Sequence, residues 1–188
     1  MNHSPLTDEE LAKRVIDGDR DKFGILMERY QSKLFRYGKK FLVDSDNIED
    51  VVQDVFIKAY KNIKSFDTTQ RFSPWIYRIA HNTYINAIKK NSLNPLYLFD
   101  FDTLLSYTVV EDPVIKEREQ KEIKEFIDKG LDSIEDKYRE ILVLYYIEEF
   151  SYKEIADILQ VPVSTVGVRI MRAKKVLKEK YKELKTEI

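Results

Sequence analysis

The sequence predicts an all-α protein of two helical domains joined by a linker. Only five Gly and five Pro occur among 188 residues, so few positions interrupt a helix. Apolar residues recur at spacings of three and four along most of the chain, which is the period of an amphipathic helix. Residues 91–113 lack such a period and carry Asn, Ser and Pro near their ends. We therefore expect one domain at 1–90, a linker at 91–113 and a second domain at 114–188.

The first domain is predicted to begin with two helices. Thr7 and Glu10 have the spacing of a capping box, which starts a helix over 8–17. The second helix is marked by apolar residues at helical spacing: Phe23, Leu26, Met27, Tyr30, Leu34, Tyr37 and Phe41. Their spacing predicts a long helix.

The third helix, at 48–63, carries two different stripes. The apolar stripe should face the core and consists of Ile48, Val51, Val52, Val55, Phe56, Ala59, Tyr60 and Ile63. The opposite stripe, at spacings i, i+3, i+4 and i+7, consists of Asp50, Gln53, Asp54 and Ile57. A polar stripe with one aliphatic residue among its acids is suited to binding a partner.

The fourth helix follows a loop at 65–72. Ser73 as N-cap and Pro74 as the first helical residue should start it, and it should end near Lys90. One of its faces mixes aromatic, basic and amide side chains: Trp75, Arg78, Asn82, Ile85 and Lys89. Such a face can stack on unpaired bases and bind phosphates, although a lone Trp at a helix start can also be a core residue.

The second domain should contain helices at 114–130, with Gly130 as C-cap, and at 133–148. The buried stripe of the latter would be Ile134, Tyr138, Ile141, Leu142 and Tyr145. The apolar stretches PLYLF and TLLSYTVV in the preceding linker should pack either on this protein or on a partner.

Residues 151–182 have the pattern of a helix-turn-helix. Ser151 and Glu154 form a capping box for a short helix, and the break QVP separates it from a second helix. The inward residues should be Ile155, Ala156 and Leu159 on the first helix, and Val166, Ile170, Ala173 and Leu177 on the second. The exposed residues that would meet DNA are Ser164, Thr165, Val168, Arg169 and Arg172, with Lys174, Lys175 and Lys178 facing the backbone. The alternative is a terminal helical hairpin with a solvated basic face.

Composition excludes several classes of protein. The chain has no Cys, so disulfides and thiolate metal sites are unavailable. No apolar run is long enough for a membrane span and the N-terminus lacks the pattern of a signal peptide, so we expect a cytoplasmic protein. The net charge is −1, yet residues 151–188 hold nine Lys and Arg against five Asp and Glu, and residues 71–90 hold four bases and no acid. Such basic segments on a nearly neutral chain favour contacts with a polyanion.

Three stretches in this order, DNIEDVVQDVFIKAY, FSPWIYRIAHN and the helix-turn-helix, resemble the extracytoplasmic-function (ECF) sigma factors, the two-domain minimal class of bacterial initiation factors. The resemblance covers about 8–90 and 114–182. It implies a non-enzymatic factor that binds core RNA polymerase and promoter DNA at a stress or envelope regulon, acts as a monomer when free and needs no cofactor. By family habit alone, it also implies an inhibitory anti-sigma factor.

The resemblance also implies roles for particular residues. In region two, the stripe of Asp50, Gln53, Asp54 and Ile57 would bind the coiled coil of the largest polymerase subunit. Trp75, Arg78, Asn82 and Lys89, with the loop before them, would open the minus-10 element and hold a flipped base. In region four, the minus-35 element would be read by Ser164, Thr165, Val168, Arg169, Arg172 and Lys175. Asp100 and Asp102 in the linker could mimic nucleic-acid charge in the polymerase channels.

Two positions depart from the family pattern. Gly167 lies where the family often has Lys or Arg, and Gly within a helix costs about 0.5–1 kcal/mol of stability. Gln160 lies where many helix-turn-helix proteins have Gly. We expect neither difference to change the fold, but the minus-35 specificity depends on the first.

Two other classes of protein are alternatives to an initiation factor. A stand-alone helix-turn-helix regulator with a dimerisation or sensor domain would explain 151–182 equally well. It would leave the polar stripe at 50–57 and the Trp75 face without a binding role. An enzyme is disfavoured because His3 and His81 are the only histidines and the acids fall on helix surfaces.

Overall fold

The chain divides into two compact units, Met1–Asn94 and Pro95–Ile188. The computed structural model describes residues 6–39, 45–91 and 136–186, and every regular element in these ranges is helical. In the first unit the elements are α1 (Asp8–Ile16), α2 (Lys22–Gly38), α3 (Ser45–Asn62), a 3₁₀ turn (Ile63–Ser65) and α4 (Phe72–Asn91). In the second unit they are α5 (Asp136–Leu142), a π-helical segment (Val143–Ile147), α6 (Tyr152–Leu159) and α7 (Val163–Thr186). The all-α prediction is confirmed.

Helix α1 begins where the capping-box pattern predicted. The Thr7 hydroxyl accepts a hydrogen bond from the Glu10 amide at 3.2 Å, and the Glu10 carboxylate accepts one from the Thr7 amide at 2.8 Å. Asp8 joins α1 to α2, because it accepts hydrogen bonds of 2.6 Å from both Arg29 Nη1 and the Tyr30 hydroxyl. The first helix is therefore capped locally and attached to its neighbour through its first turn.

Helix α4 begins at Phe72, one residue before the predicted N-cap Ser73, so the prediction of its first residue was wrong. The Phe72 amide donates a 2.9 Å hydrogen bond to Glu9 Oε1 of α1. A carboxylate 63 residues away in the sequence thus supplies the partner that a local cap would otherwise provide. Pro74 is tolerated in the first turn because its missing N–H would have no intrahelical acceptor there.

The core of the first unit contains fully buried tyrosines as well as aliphatic residues. Tyr37 lies between Tyr77 and Tyr84, with ring centroids 5.1 and 5.8 Å apart. The Tyr84 hydroxyl donates a 2.9 Å hydrogen bond to the Leu34 carbonyl. A side chain at Gly38 would overlap that hydroxyl, so this position requires glycine for close packing of α2 on α4.

In the second unit a π-helical segment changes the predicted stripe. Ile141 and Leu142 are buried as expected and Tyr146 is buried as well, but Tyr138 and Tyr145 are only half-buried, which corrects the prediction for both tyrosines. A π-helical turn holds more residues than an α-helical turn, so positions after Leu142 rotate relative to the core. The Tyr145 ring packs instead on Tyr152, with centroids 5.4 Å apart.

Some predictions concern residues outside the described ranges. They are Phe41, the linker from residue 92 onward with Asp100 and Asp102, the helix at 114–130 with its Gly130 cap, and the start of the next helix at 133–135. Among the helices in the described ranges, none has the length and apolar character needed to span a membrane.

Candidate docking and nucleic-acid surfaces

The polar stripe of α3 faces outward along its full length. Asp50, Gln53, Asp54 and Ile57 are all exposed, and Ile57 exposes 51% of its surface. Most of the opposite stripe is buried, including Val51, Val55 and Ala59. A single exposed aliphatic side chain is common on protein surfaces, so its meaning depends on whether more exposed apolar surface lies beside it.

A groove between α2 and α3 adjoins this stripe. It has a volume of about 1300 Å³, and Gln53 and Ile57 lie in its wall, whereas Asp50 and Asp54 lie outside the lining. Its apolar lining includes Phe23, Met27, Phe35, Val52, Phe56 and Tyr60. The stripe and the groove therefore form one surface, with acids on one side and apolar side chains on the other.

Tyr60 was expected in the core, but it lies in this groove together with Met27, and the two side chains are 39% and 40% exposed. Both fall on the apolar stripes of their helices, and those stripes are wider than the area that the neighbouring helix covers. The Tyr60 ring packs by its edge on Phe23, with centroids 5.0 Å apart. Periodicity identified both residues as apolar-face positions but could not show that the face is only partly covered.

On α4, Arg78, Asn82 and Lys89 are exposed, as a nucleic-acid surface requires. Trp75 is half-buried, since its ring centroid lies 5.3 Å from that of Phe66 and 5.4 Å from that of Phe72. It therefore belongs to an aromatic cluster of the protein and also presents part of its surface outward.

The loop that precedes α4 has a defined shape. Its first residue, Phe66, is buried, and Asp67 Oδ1 accepts hydrogen bonds from the Thr69 amide at 3.0 Å and the Thr69 hydroxyl at 2.8 Å. Both bonds lower the pKa of the Asp67 carboxyl below its usual value, and the bond from the Thr69 backbone amide has the larger effect. The Gln70 amide donates to the Asp67 carbonyl at 2.9 Å, which closes the turn. Thr69 and Gln70 are left exposed at the tip.

The helix-turn-helix of the second unit begins with the predicted capping box, in which Ser151 Oγ accepts from the Glu154 amide at 3.3 Å. Gln160 ends α6 in the left-handed region, at φ 56° and ψ 44°. Glycine is favoured in this conformation, so Gln160 is a strained non-glycine residue at the end of α6. The expected inward residues are buried: Ile155, Ala156, Leu159, Val166, Ile170, Ala173 and Leu177.

Helix α7 exposes only part of the predicted contact set. Ser164 and Lys175 are exposed and Thr165, Arg169 and Arg172 are half-buried, but Val168 is only 7% exposed, which corrects its assignment as an exposed residue. Val166, Gly167 and Val168 are consecutive and all buried, so at these positions α7 buries more than one narrow stripe, whereas Val163 and Ser164 before them are exposed. A prediction based on a single buried face could not anticipate that.

Two further features of α7 bear on contacts. Burial lowers the pKa of the Arg169 guanidinium, although an arginine keeps its charge at physiological pH. Met171, which the sequence reasoning missed, is 63% exposed on the same stripe as Ser164 and Lys175. In the sequence, Met171 directly follows the inward Ile170, and no pattern there predicts that it would be exposed.

No cluster of three or more His, Cys, Asp or Glu side chains suited to a metal ion occurs within the described parts of the chain.

Comparison with known families gives two matches in the order of the two units. The model of sigma-70 region 2 matches residues 26–93, and a model of sigma-70 region 4 matches residues 127–177. These ranges contain α3, α4, α6 and the first part of α7.

Relatives match over nearly the whole chain. The ECF RNA polymerase sigma factor SigW of Bacillus subtilis is 37% identical over 180 residues, which span 92% of this chain and 95% of that protein. The ECF RNA polymerase sigma-E factor of Escherichia coli K12 is 33% identical over 186 residues, which span 95% of this chain and 96% of that protein.

Solved structures share the fold at lower identity. CnrH, in complex with the cytosolic domain of CnrY, has a TM-score of 0.65 at 24% identity and covers 94% of this chain and 97% of its own. The sigma factor RpoE of Bartonella quintana, in complex with the anti-sigma factor NepR, has a TM-score of 0.60 at 22% identity and covers 85% and 96%. With both region models matched and relatives above 30% identity over almost its full length, this chain belongs to the ECF family of RNA polymerase sigma factors, which are initiation factors and not enzymes.

Proposed function

We propose that this sigma factor divides initiation between its two units. Residues 1–90 bind core RNA polymerase and the minus-10 element, residues 91–113 form the linker, and residues 114–188 bind the minus-35 element. Linking two weak DNA contacts on one polymerase-bound factor raises the affinity of each. The observation that carries the proposal is the exposed stripe of α3, in which Ile57 exposes 51% of its surface beside two acids and an amide.

Core polymerase is proposed to dock on α3. Asp50 and Asp54 supply charges that steer a basic partner, while Gln53 and Ile57 extend the contact into the adjoining groove. Met27 and Tyr60 add exposed apolar area there, so the surface combines a charged edge with an apolar centre. An amphipathic helix of the polymerase would fit such a surface.

The minus-10 element is proposed to bind α4 and the loop at 66–71. Arg78 and Lys89 are exposed cations suited to phosphates, and Asn82 lies one turn beyond Arg78 with an amide that can read a base edge. The part of Trp75 that remains accessible offers a stacking surface. Because the loop tip is polar and its turn is closed by hydrogen bonds, it can receive an unpaired base without first becoming ordered.

The minus-35 element is proposed to meet Ser164, Thr165, Arg169, Arg172 and Lys175 in the major groove. Arginine can bind guanine bidentately, whereas Ser and Thr can reach bases or phosphates. Val168 is left out of this set because it is buried. Met171 replaces it as the exposed apolar position of that stripe.

We further propose that the protein acts in the cytoplasm, as a monomer before it binds polymerase, and that an anti-sigma protein restrains it. The support for the inhibitor is that the related fold of the Bartonella quintana factor was solved with an anti-sigma factor bound. The α2–α3 groove is a surface on which such a protein would compete with polymerase.

The test is reconstitution with purified bacterial core polymerase. The triple variant Asp50→Ala/Gln53→Ala/Asp54→Ala is compared with wild type by co-elution and by multi-round transcription. The control, Asp17→Ala/Asp157→Ala, removes the same charge from exposed positions that lie neither on α3 nor in the groove lining. We expect wild type and control to co-elute and direct promoter-specific transcripts, and the folded triple variant to do neither. A wild type that ignores core polymerase and binds duplex DNA as a dimer would overturn the proposal.

A further inference from the structure

The first turn of α1 has three consecutive acids, and each contacts a different part of the fold. Glu10 closes the capping box with Thr7, Asp8 accepts hydrogen bonds from α2, and Glu9 accepts one from α4. We propose that Glu9 is a positioning residue for promoter opening, since it holds the start of α4 and the adjoining loop in the shape that receives the unpaired strand. This inference rests on the proposed minus-10 role of α4.

The contact of Glu9 is made at the junction between the loop and the helix. Phe72 is the first residue of α4 and is fully buried, and its amide donates to Glu9 Oε1 at 2.9 Å. The first amides of a helix have no acceptor within it, and a carboxylate there also interacts favourably with the helix dipole. Glu9 thus determines where the loop stops and the helix starts.

Both ends of the loop are held by the same group of residues. At its beginning, the Phe66 ring lies 5.3 Å from that of Phe72 and 5.3 Å from that of Trp75. At its end, Phe72 is held by Glu9. Between these points the Asp67 turn leaves Thr69 and Gln70 exposed. The shape of the loop therefore depends on the position of Phe72.

Glu9 is itself held in place by a closed circuit of contacts. Asp8, the preceding residue, accepts a 2.6 Å hydrogen bond from the Tyr30 hydroxyl, and the Tyr30 ring packs by its edge on Phe72 with centroids 5.5 Å apart. Asp8 and Glu9 therefore accept hydrogen bonds from Tyr30 and Phe72, and the rings of these two residues pack on each other. Such a circuit fixes the Glu9 carboxylate better than a side chain on a free surface would be fixed.

The consequence for function is preorganisation. If the Phe72 amide loses its acceptor, the loop must be ordered when it binds the unpaired strand, and that ordering reduces affinity. Docking on α3 does not involve this junction, so affinity for core polymerase should be unchanged. A residue needed only for folding would weaken both.

The experiment compares Glu9→Ala, Glu9→Gln and Glu9→Asp in full-length protein bound to core polymerase. The probe is a fluorescent single-stranded oligonucleotide carrying the minus-10 sequence, which is first identified by transcribing a random-sequence template library with the wild-type holoenzyme. Gln keeps an oxygen acceptor at the same reach, whereas Asp keeps the charge but is one methylene too short. We expect oligonucleotide affinity to fall about five- to tenfold in Glu9→Ala and Glu9→Asp, and to stay within about twofold in Glu9→Gln.

The matched control is Glu10→Ala, which removes the neighbouring carboxylate and the capping box but leaves the Glu9 contact. It should bind the oligonucleotide within about twofold of wild type, and all four variants should bind core polymerase equally. The inference is overturned if Glu9→Ala binds the oligonucleotide like wild type, if Glu10→Ala loses as much, or if core affinity falls in parallel. If instead the wild-type holoenzyme does not prefer the unpaired strand over its duplex, the proposed minus-10 function fails, and the positioning role of Glu9, which rests on it, fails with it.

Discussion

The hydroxyl of Tyr84 on α4 donates a 2.9 Å hydrogen bond to the backbone carbonyl of Leu34 on α2, inside the core of the first unit. The bond is possible because Gly38, one turn after Leu34, has no side chain to occupy the place of that hydroxyl. Tyr84 is fully buried, so its ring cannot swing into solvent to make room. Helix α4 is thereby held close to α2 at the level of its exposed Asn82 and Lys89.

Gly38→Ala should lower the free energy of unfolding of the first unit. The added methyl group would overlap Tyr84, and overpacking of a tight core costs about 1–3 kcal/mol. Urea unfolding followed by circular dichroism measures the change. The control is Gly24→Ala, since a side chain at Gly24 meets nothing within contact distance and removes an unfavourable glycine from α2. Equal stability of the two variants would contradict the packing argument.

Stability at alkaline pH should depend on the buried tyrosines. Burial raises the pKa of Tyr84, and burial followed by the hydrogen bond to Asp8 raises the pKa of Tyr30, both above the usual 10.0. In the unfolded chain these groups ionise first, so stability is fully present below about pH 10 and is lost as the pH rises above it.

We expect a loss of about 1.4 kcal/mol per pH unit for each such tyrosine above pH 10. Urea unfolding between pH 8 and 11 measures how stability falls with pH. Tyr84→Phe should reduce this slope by about 1.4 kcal/mol per pH unit. The variant also loses a hydrogen bond, which lowers its stability by about 1 kcal/mol at every pH. Parallel curves for wild type and variant would show that Tyr84 does not carry the alkaline dependence.

The apolar part of the α2–α3 groove should contribute to polymerase binding. Met27→Ser removes exposed apolar area beside Ile57, and truncation of one interface side chain weakens binding by about three- to thirtyfold. Titration of labelled protein with core polymerase measures this. Val163→Ser, at an exposed apolar position outside the groove, is the comparison and should bind like wild type. If both variants lose equally, general surface hydrophobicity and not the groove is responsible.

Val168 and Arg172 should separate stability from DNA recognition on α7. Val168→Ala removes buried apolar volume and should destabilise the second unit by about 1–3 kcal/mol, with little change in promoter preference. Arg172→Ala should weaken binding of the minus-35 element by about 1–3 kcal/mol and lower stability less than Val168→Ala does. Chemical unfolding and promoter competition by the holoenzyme give the two measurements. The reverse pattern would restore Val168 to the DNA-contacting set.

Gln160→Gly should stabilise the second unit by up to about 1 kcal/mol, because it relieves a left-handed backbone at φ 56°. The gain is limited by loss of the 2.6 Å hydrogen bond from the Gln160 side-chain amide to the Asp157 carbonyl. Gln160→Val, with a β-branched side chain at the same φ, should destabilise the unit. Unfolding midpoints that rank Val above Gly would contradict the role of backbone strain.

The sequence alone was sufficient for the features that depend on near neighbours. The capping boxes of Thr7 with Glu10 and Ser151 with Glu154 formed as predicted, since each involves atoms three residues apart. The outward stripe of α3 was also predictable, because a helix that buries Val51 and Val55 must turn Asp50 and Asp54 to the other side. The three ordered motifs likewise identify the family without any knowledge of the fold.

The tertiary structure decided what depends on residues far apart in the chain. The Phe72 amide at the start of α4 finds its acceptor in Glu9 of α1, and the exposure of Met27 and Tyr60 and the burial of Val168 depend on which helix lies against them. A periodic pattern shows which way a side chain points, but not whether anything covers it. The sequence therefore determined the helices, their faces and the family, whereas packing between helices decided which of those faces remain open to a partner.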